Sequence, residues 1–120
     1  MNHTILPEQK PKFKVLYSEE ADAFLTEQTE KVRAKILYNV LKASFTNDAT
    51  LFKKLGSTDI WEFRTLFDNK CYHLLAFWDK RDGKNTLVIA THGFVKKTQK
   101  TPPREIQHAE QIRNIYFNQK

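Results

Sequence analysis

The sequence predicts an α+β domain in the order β-α-α-β-β-β-α, with a mainly antiparallel sheet and an N-terminal helical hairpin. Three observations predict it. Apolar residues recur at helical spacing through residues 19–45, they alternate singly through residues 60–67 and on into an aromatic run at 71–79, and a Thr-Pro pair opens a final helical stripe.

The N-terminal stretch is polar and broken by Pro7 and Pro11, so residues 1–11 are expected to form a loosely held arm and residues 12–120 a single domain. Phe13, Val15 and Tyr17 alternate with Lys12, Lys14 and Leu16, the pattern of a short strand. Ser18 can cap a helix by accepting from its first free amides, and Glu19, Glu20 and Asp22 place negative charge at the positive end of the helix dipole. Ala21, Phe24 and Leu25 form its apolar side. In the second helix, residues 30–45, Val32, Ile36, Leu37, Val40 and Leu41 form a stripe, with Lys31, Arg33, Lys35, Asn39 and Lys42 on other faces. No Gly or Pro marks the junction near Thr26 to Thr29, which leaves turn and kink open.

Residues 46–57 read as a loop. From 60 to 67, Trp61, Phe63, Thr65 and Phe67 share one strand face, and Ile60, Glu62, Arg64 and Leu66 share the other. Asp68, Asn69 and Lys70 suit a tight turn into a strand over residues 71–79. Asp82-Gly83 signals the next turn, because glycine accepts positive φ, and residues 86–91 supply the last strand of an antiparallel meander. Thr101 and Pro102 fit a helix cap and first position, and Ile106, Ala109, Ile112 and either Ile115 or Tyr116 form an apolar stripe.

A chain of 120 residues, 40% of them hydrophobic, can bury one core. No apolar run is long enough to cross a bilayer, and the first residues lack a secretory pattern. The single cysteine, Cys71, excludes an intramolecular disulfide, and no Cys/His spacing suggests zinc. A cytoplasmic protein without metal or cofactor is expected. The formal charge of +6 is unevenly distributed: residues 1–50 hold seven Lys/Arg and seven Asp/Glu, whereas residues 51–120 hold 13 and seven. A field of this sign favours polyanions, nucleic acid first among them, although on charge alone a solvated basic surface is the better account.

Leu55-Gly56, Trp61-Glu62-Phe63-Arg64, His92-Gly93-Phe94-Val95-Lys96-Lys97-Thr98 and Lys100-Thr101-Pro102, in this order of elements, resemble the phage-derived HigB-like branch of the RelE/ParE toxin superfamily. The resemblance spans roughly Phe13 to Tyr116, and its most specific part is a glycine-phenylalanine turn, two lysines and a Thr-Pro helix start. It implies a type II toxin that cuts mRNA in the ribosomal A site. The implied partners are the 70S ribosome with its mRNA and a silencing antitoxin, often a helix-turn-helix protein of the HigA kind.

RNA is cleaved when a base removes the 2′-hydroxyl proton, cations stabilise the phosphorane and an acid protonates the leaving 5′-oxygen. Lysines crowded by other cations can serve in such proton transfer, which nominates Lys53, Lys54, Lys96 and Lys97, two pairs that the sheet was expected to bring to one concave face. Arg64 can grip phosphate bidentately or pair with Glu62 on an exposed sheet face. Lys100, Arg104 and His92 extend the expected RNA surface, with a turn-ordering role for His92 as the favoured alternative. His73 falls where many relatives carry an arginine. It is a candidate for catalysis, but an imidazole cannot reproduce bidentate arginine contacts, and a packed structural histidine is an equal alternative.

Trp61, Phe63, Phe77 and Trp78 could stack on bases, with core packing preferred. Cys71 reads as a small buried hydrophobe. Two other functions remain open: a ParE-like toxin that poisons DNA gyrase without cutting RNA, and a non-toxic phage-derived nucleic-acid-binding protein.

Overall fold

Asp68 and Asn69 both adopt left-handed backbone, with φ of 52° and 61°, the conformation a two-residue hairpin loop needs to match the twist of its strands. That loop joins the central strands of a computed structural model that describes residues 10–119. The elements are β1 (Lys14–Tyr17), α1 (Glu19–Glu27), α2 (Glu30–Phe45), β2 (Phe52–Lys54), β3 (Trp61–Phe67), β4 (Lys70–Asp79), β5 (Leu87–Lys96) and α3 (Pro103–Phe117). The sheet order is β1-β5-β4-β3-β2, with α1 and α2 on one face and α3 on the other.

The helix starts follow from local chemistry. Ser18 Oγ accepts from the Ala21 amide at 3.1 Å and donates to the Thr91 carbonyl at 2.5 Å, so the α1 cap also ties that helix to β5. Thr29 caps α2 by accepting from the Val32 amide, which makes the helix junction a turn. Thr101 does not cap α3. Pro102 occupies the cap position with no side-chain bond, Pro103 opens the helix, and the Thr101 hydroxyl is engaged elsewhere.

The sheet is mainly antiparallel, as the sequence predicts, with one parallel pair: β1 runs parallel to β5 while the other pairs are antiparallel. No hairpin turn links β1 to its neighbour, so local patterning carries no information about that pairing. The loop expected over residues 46–57 contains β2, which is too short to show periodicity. Gly83 is not in the positive-φ region. The bend there is held by Asp82, which accepts from the Lys84 amide and the Asn85 side chain.

The strand expected over residues 86–91 continues to Lys96, so Gly93-Phe94 is strand and not turn. Gly93 permits close packing: a Cβ there would lie 2.3 Å from the Phe24 ring. A bulge opposite Leu75 and Ala76 leaves Thr91 unpaired between Ala90 and His92. One extra residue inverts the alternation downstream, so His92, Phe94 and Lys96 join the α3 face that Ile89 occupies.

The larger core lies between the sheet and the helical hairpin, built around Phe13, Phe24, Ile36, Val40, Phe63 and Leu74. The smaller joins Leu75, Phe77 and Ile89 to Ala109, with Ile106, Ile112 and Tyr116 packed against it. Tyr116 thus completes the α3 stripe, and Ile115 is exposed. In α2, Leu37 and Leu41 lie outside the core, and Asn39, expected away from the apolar stripe, is buried and donates to Thr65 Oγ1 at 3.2 Å. The expected arm over residues 1–11 falls almost wholly outside the described residues. Among those described, no helix is long and apolar enough to cross a membrane.

Candidate functional site

On the α3 face, strand pairing sets two rows of side chains side by side. Lys53, Glu62, Leu75 and His92 form one row, and Arg64, His73 and Phe94 form the next. Glu62 organises the centre. Its side chain has no exposed surface, yet both carboxylate oxygens are satisfied. Oε1 accepts from Arg64 Nε at 3.1 Å and Nη2 at 2.8 Å. Oε2 accepts from His73 Nδ1 at 2.7 Å and from the Thr101 hydroxyl. Burial alone would raise the Glu62 pKa, but the bonds from His73, Thr101 and Arg64 outweigh it and hold the group below its ordinary value. Glu62 is therefore held as the anion that anchors Arg64, His73 and Thr101.

The Arg64–Glu62 pair exists, but not on the exposed sheet face expected of it. Arg64 keeps 13% side-chain exposure, and its Nη1 reaches outward to Gln99 Oε1 at 3.0 Å. One side of the guanidinium is thus committed to a buried carboxylate and the other faces the surface. His73 is completely buried, stacked flat on Phe94 with ring centroids 4.6 Å apart, and its Nε2 faces the Thr98 carbonyl at 3.3 Å. Both partners of the ring, a carboxylate and a carbonyl, are acceptors. His73 has no surface to offer a substrate. It positions Glu62, and through Glu62 it positions Arg64.

Arg64 opens onto a cleft of about 480 Å³ bounded by Lys53 and the Leu55–Thr58 loop on one side and by Gln99, Lys100 and Thr101 on the other. Gly56, with φ of 58°, turns the first wall. The cleft gathers Lys53, Arg64 and Lys100 from the expected residues and adds Gln99 and Thr101, the latter a bond donor to Glu62 and not the helix cap its place before Pro102 suggests. Gln99 carries no local signal and enters only because β5 ends beside Arg64.

The two lysine pairs do not converge. Lys53 pairs with Glu62 and shares its face, whereas Lys54 pairs with Trp61 and shares the opposite one. Lys96 stands beside Cys71 on the α3 face, two residue positions beyond the Arg64 row, and Lys97 is exposed past the strand end. By strand geometry Lys53 and Lys96 lie roughly 13 Å apart along the sheet and roughly 14 Å across it. Arg104 projects from the first turn of α3, with its side chain 75% exposed.

His92 is a buried mid-strand residue and not a turn element. Its Nδ1 lies 3.1 Å from Thr91 Oγ1 and its Nε2 lies 3.1 Å from Glu105 on α3. Burial lowers its pKa against the opposing pull of Glu105. Cys71 is buried, and desolvation raises its pKa, as suits a packed thiol. Among the described residues, no three His, Cys, Asp or Glu side chains are grouped to hold a metal ion.

The arrangement provides an open cleft with a pre-aimed guanidinium and two flanking ammonium groups. Lys53 and Lys100 form no ion pair among the described residues. No curated protein matches the chain. The family model described as Phage derived protein Gp49-like (DUF891) matches residues 23–114, from within α1 to the last turn of α3. The chain belongs to this Gp49-like family.

Proposed function

We propose that this protein is a HigB-like toxin of the RelE/ParE kind, an endoribonuclease that cuts mRNA on the ribosome and is silenced by a helix-turn-helix antitoxin. The observation that carries the reading is Arg64, fixed from behind by buried Glu62 and open in front to a cleft flanked by Lys53 and Lys100. A guanidinium immobilised in this way loses little rotamer freedom on gripping two phosphate oxygens, and it stabilises the added charge of a phosphorane.

In this reading the 2′-hydroxyl oxygen attacks the adjacent phosphorus as its proton leaves. The bond to the 5′-oxygen breaks as that oxygen gains a proton, giving a 2′,3′-cyclic phosphate and a 5′-hydroxyl. Lys53 and Lys100, from the two walls, are the groups assigned to proton exchange and charge neutralisation, and Gln99 orients Arg64. Lys96, Lys97 and Arg104 extend the positive surface for ribosomal RNA. Membership of the Gp49-like family supports the reading.

A gyrase-poisoning toxin is the second reading, favoured by the burial of His73 at the position where relatives carry an arginine. Induced expression separates the two. Growth arrest with cut transcripts supports the nuclease, whereas arrest with intact transcripts and a DNA-damage response supports the gyrase poison.

A further inference from the structure

The sequence contains two tryptophans, and the structure separates them from the phenylalanines with which the sequence reading had grouped them. Phe63 and Phe77 are core residues, whereas Trp61 and Trp78 are partly buried on the face opposite the Arg64 cleft. Their rings stand edge to face with centroids 5.5 Å apart, backed by Phe52 at 4.9 Å from Trp61 and by Phe13 at 5.2 Å from Trp78. Two hollows, of about 350 and about 360 Å³, are both bounded by Lys54, Trp61 and Trp78. The first adds Lys12 and Lys53, and the second adds Lys80 and Arg113.

Lys80 Nζ lies 4.8 Å from the centre of the Trp78 ring. The acidic residues here are Asp48, engaged by Thr50, and Asp59, 3.7 Å from Arg113. The Trp78 indole N–H is buried without a hydrogen-bond partner among the described residues.

We propose that Trp61 and Trp78, ringed by Lys54, Lys80 and Arg113, form a second RNA subsite that stacks an unpaired base and neutralises its flanking phosphates. Aromatic plates beside cations are how proteins hold single strands without reading sequence, since every base has a stacking face. The subsite is continuous with the cleft. Lys53 and Lys54 are consecutive residues of edge strand β2, one facing Glu62 and the other facing Trp61, so a strand leaving Arg64 can pass over β2 with a cation on each side. Lys54 then serves in binding and not in chemistry. The inference rests on the reading of the protein as an RNA-binding toxin, but it does not depend on the cleavage step.

Because Trp61 and Trp78 are the sole tryptophans, selectively excited tryptophan fluorescence reports on this cluster alone. The test is titration of the full chain with a short 2′-O-methyl single-stranded oligonucleotide, which binds but cannot be cut. Saturable quenching is expected, with none from an abasic strand of equal length. Trp61→Leu should weaken binding about tenfold, with Trp78 as the remaining reporter. Lys54→Ala and Lys80→Ala, surface changes that leave the aromatic packing in place, should each reduce the salt dependence of binding by about one ion.

Quenching that persists in an Arg64→Ala protein unable to cleave supports a separate subsite. Equal quenching by the abasic strand, cleavage without quenching, or quenching by an antitoxin but not by the oligonucleotide would each overturn the proposal. An absence of cleavage with quenching intact would count against the nuclease reading and leave the subsite standing.

Discussion

Arg64 donates two hydrogen bonds to a single oxygen of Glu62, a carboxylate with no exposed surface, and this pairing directs the remaining guanidinium nitrogen to Gln99. Removing the arginine is therefore not a neutral surface change. Arg64→Ala should abolish cleavage and also cost about 1–3 kcal/mol, because Glu62 keeps only the His73 and Thr101 bonds. Arg64→Lys should keep the charge and still lose most activity. Denaturant unfolding and a cleavage assay on each variant check both halves, and wild-type stability in Arg64→Ala would contradict this account of the pair.

Glu62 should make the fold acid-sensitive. Its folded pKa lies below the ordinary value of 4.5, so its contribution is fully present above that value and is lost as pH falls through the lower folded value. Glu62→Ala should cost about 3–5 kcal/mol at neutral pH, since Arg64 and His73 lose their shared anion. The gap between wild type and variant should narrow below pH 4.5 in unfolding titrations. A gap independent of pH would remove Glu62 from the network's energetics.

His92 should contribute in the opposite range. Its folded pKa lies below the ordinary 6.5, so the folded chain binds fewer protons than the unfolded chain between those values. Stability therefore falls as pH drops from 6.5 toward the folded pKa. Protection factors for amide exchange in α3, which His92 reaches through Glu105, should fall over that window in wild type and stay flat in His92→Gln.

Gly93→Ala should destabilise the fold by about 1–3 kcal/mol, because the added methyl would overlap the Phe24 ring. Phe24→Leu in the same chain should recover part of the loss, as thermal melts would show.

Much of this fold is written locally. The Ser18 cap, the alternation of Trp61 to Phe67 and the Asp68-Asn69 turn each depend on neighbours in sequence, and each was legible there. The parts that were not legible depend on distant partners. The parallel pairing of β1 with β5 has no turn to announce it, and the Thr91 bulge reverses which side chains of β5 face α3. The site follows the same rule. Adjacent lysines at 53 and 54 looked like one pair, but a strand sends consecutive residues to opposite faces. His73 could not be assigned from its neighbours, because its role is set by Glu62 across the strand pair and by Thr98 beyond β5.

The central claim is that Arg64, aimed by Glu62, cuts mRNA on the ribosome, and the most direct measurement is cleavage of a defined mRNA in vitro with and without 70S ribosomes. Mapped 5′ ends should fall in the A-site codon when ribosomes are present, be absent without them, and be absent with Arg64→Ala. Intact mRNA on ribosomes stalled with the wild-type protein, or equal cutting by Arg64→Ala, would contradict it.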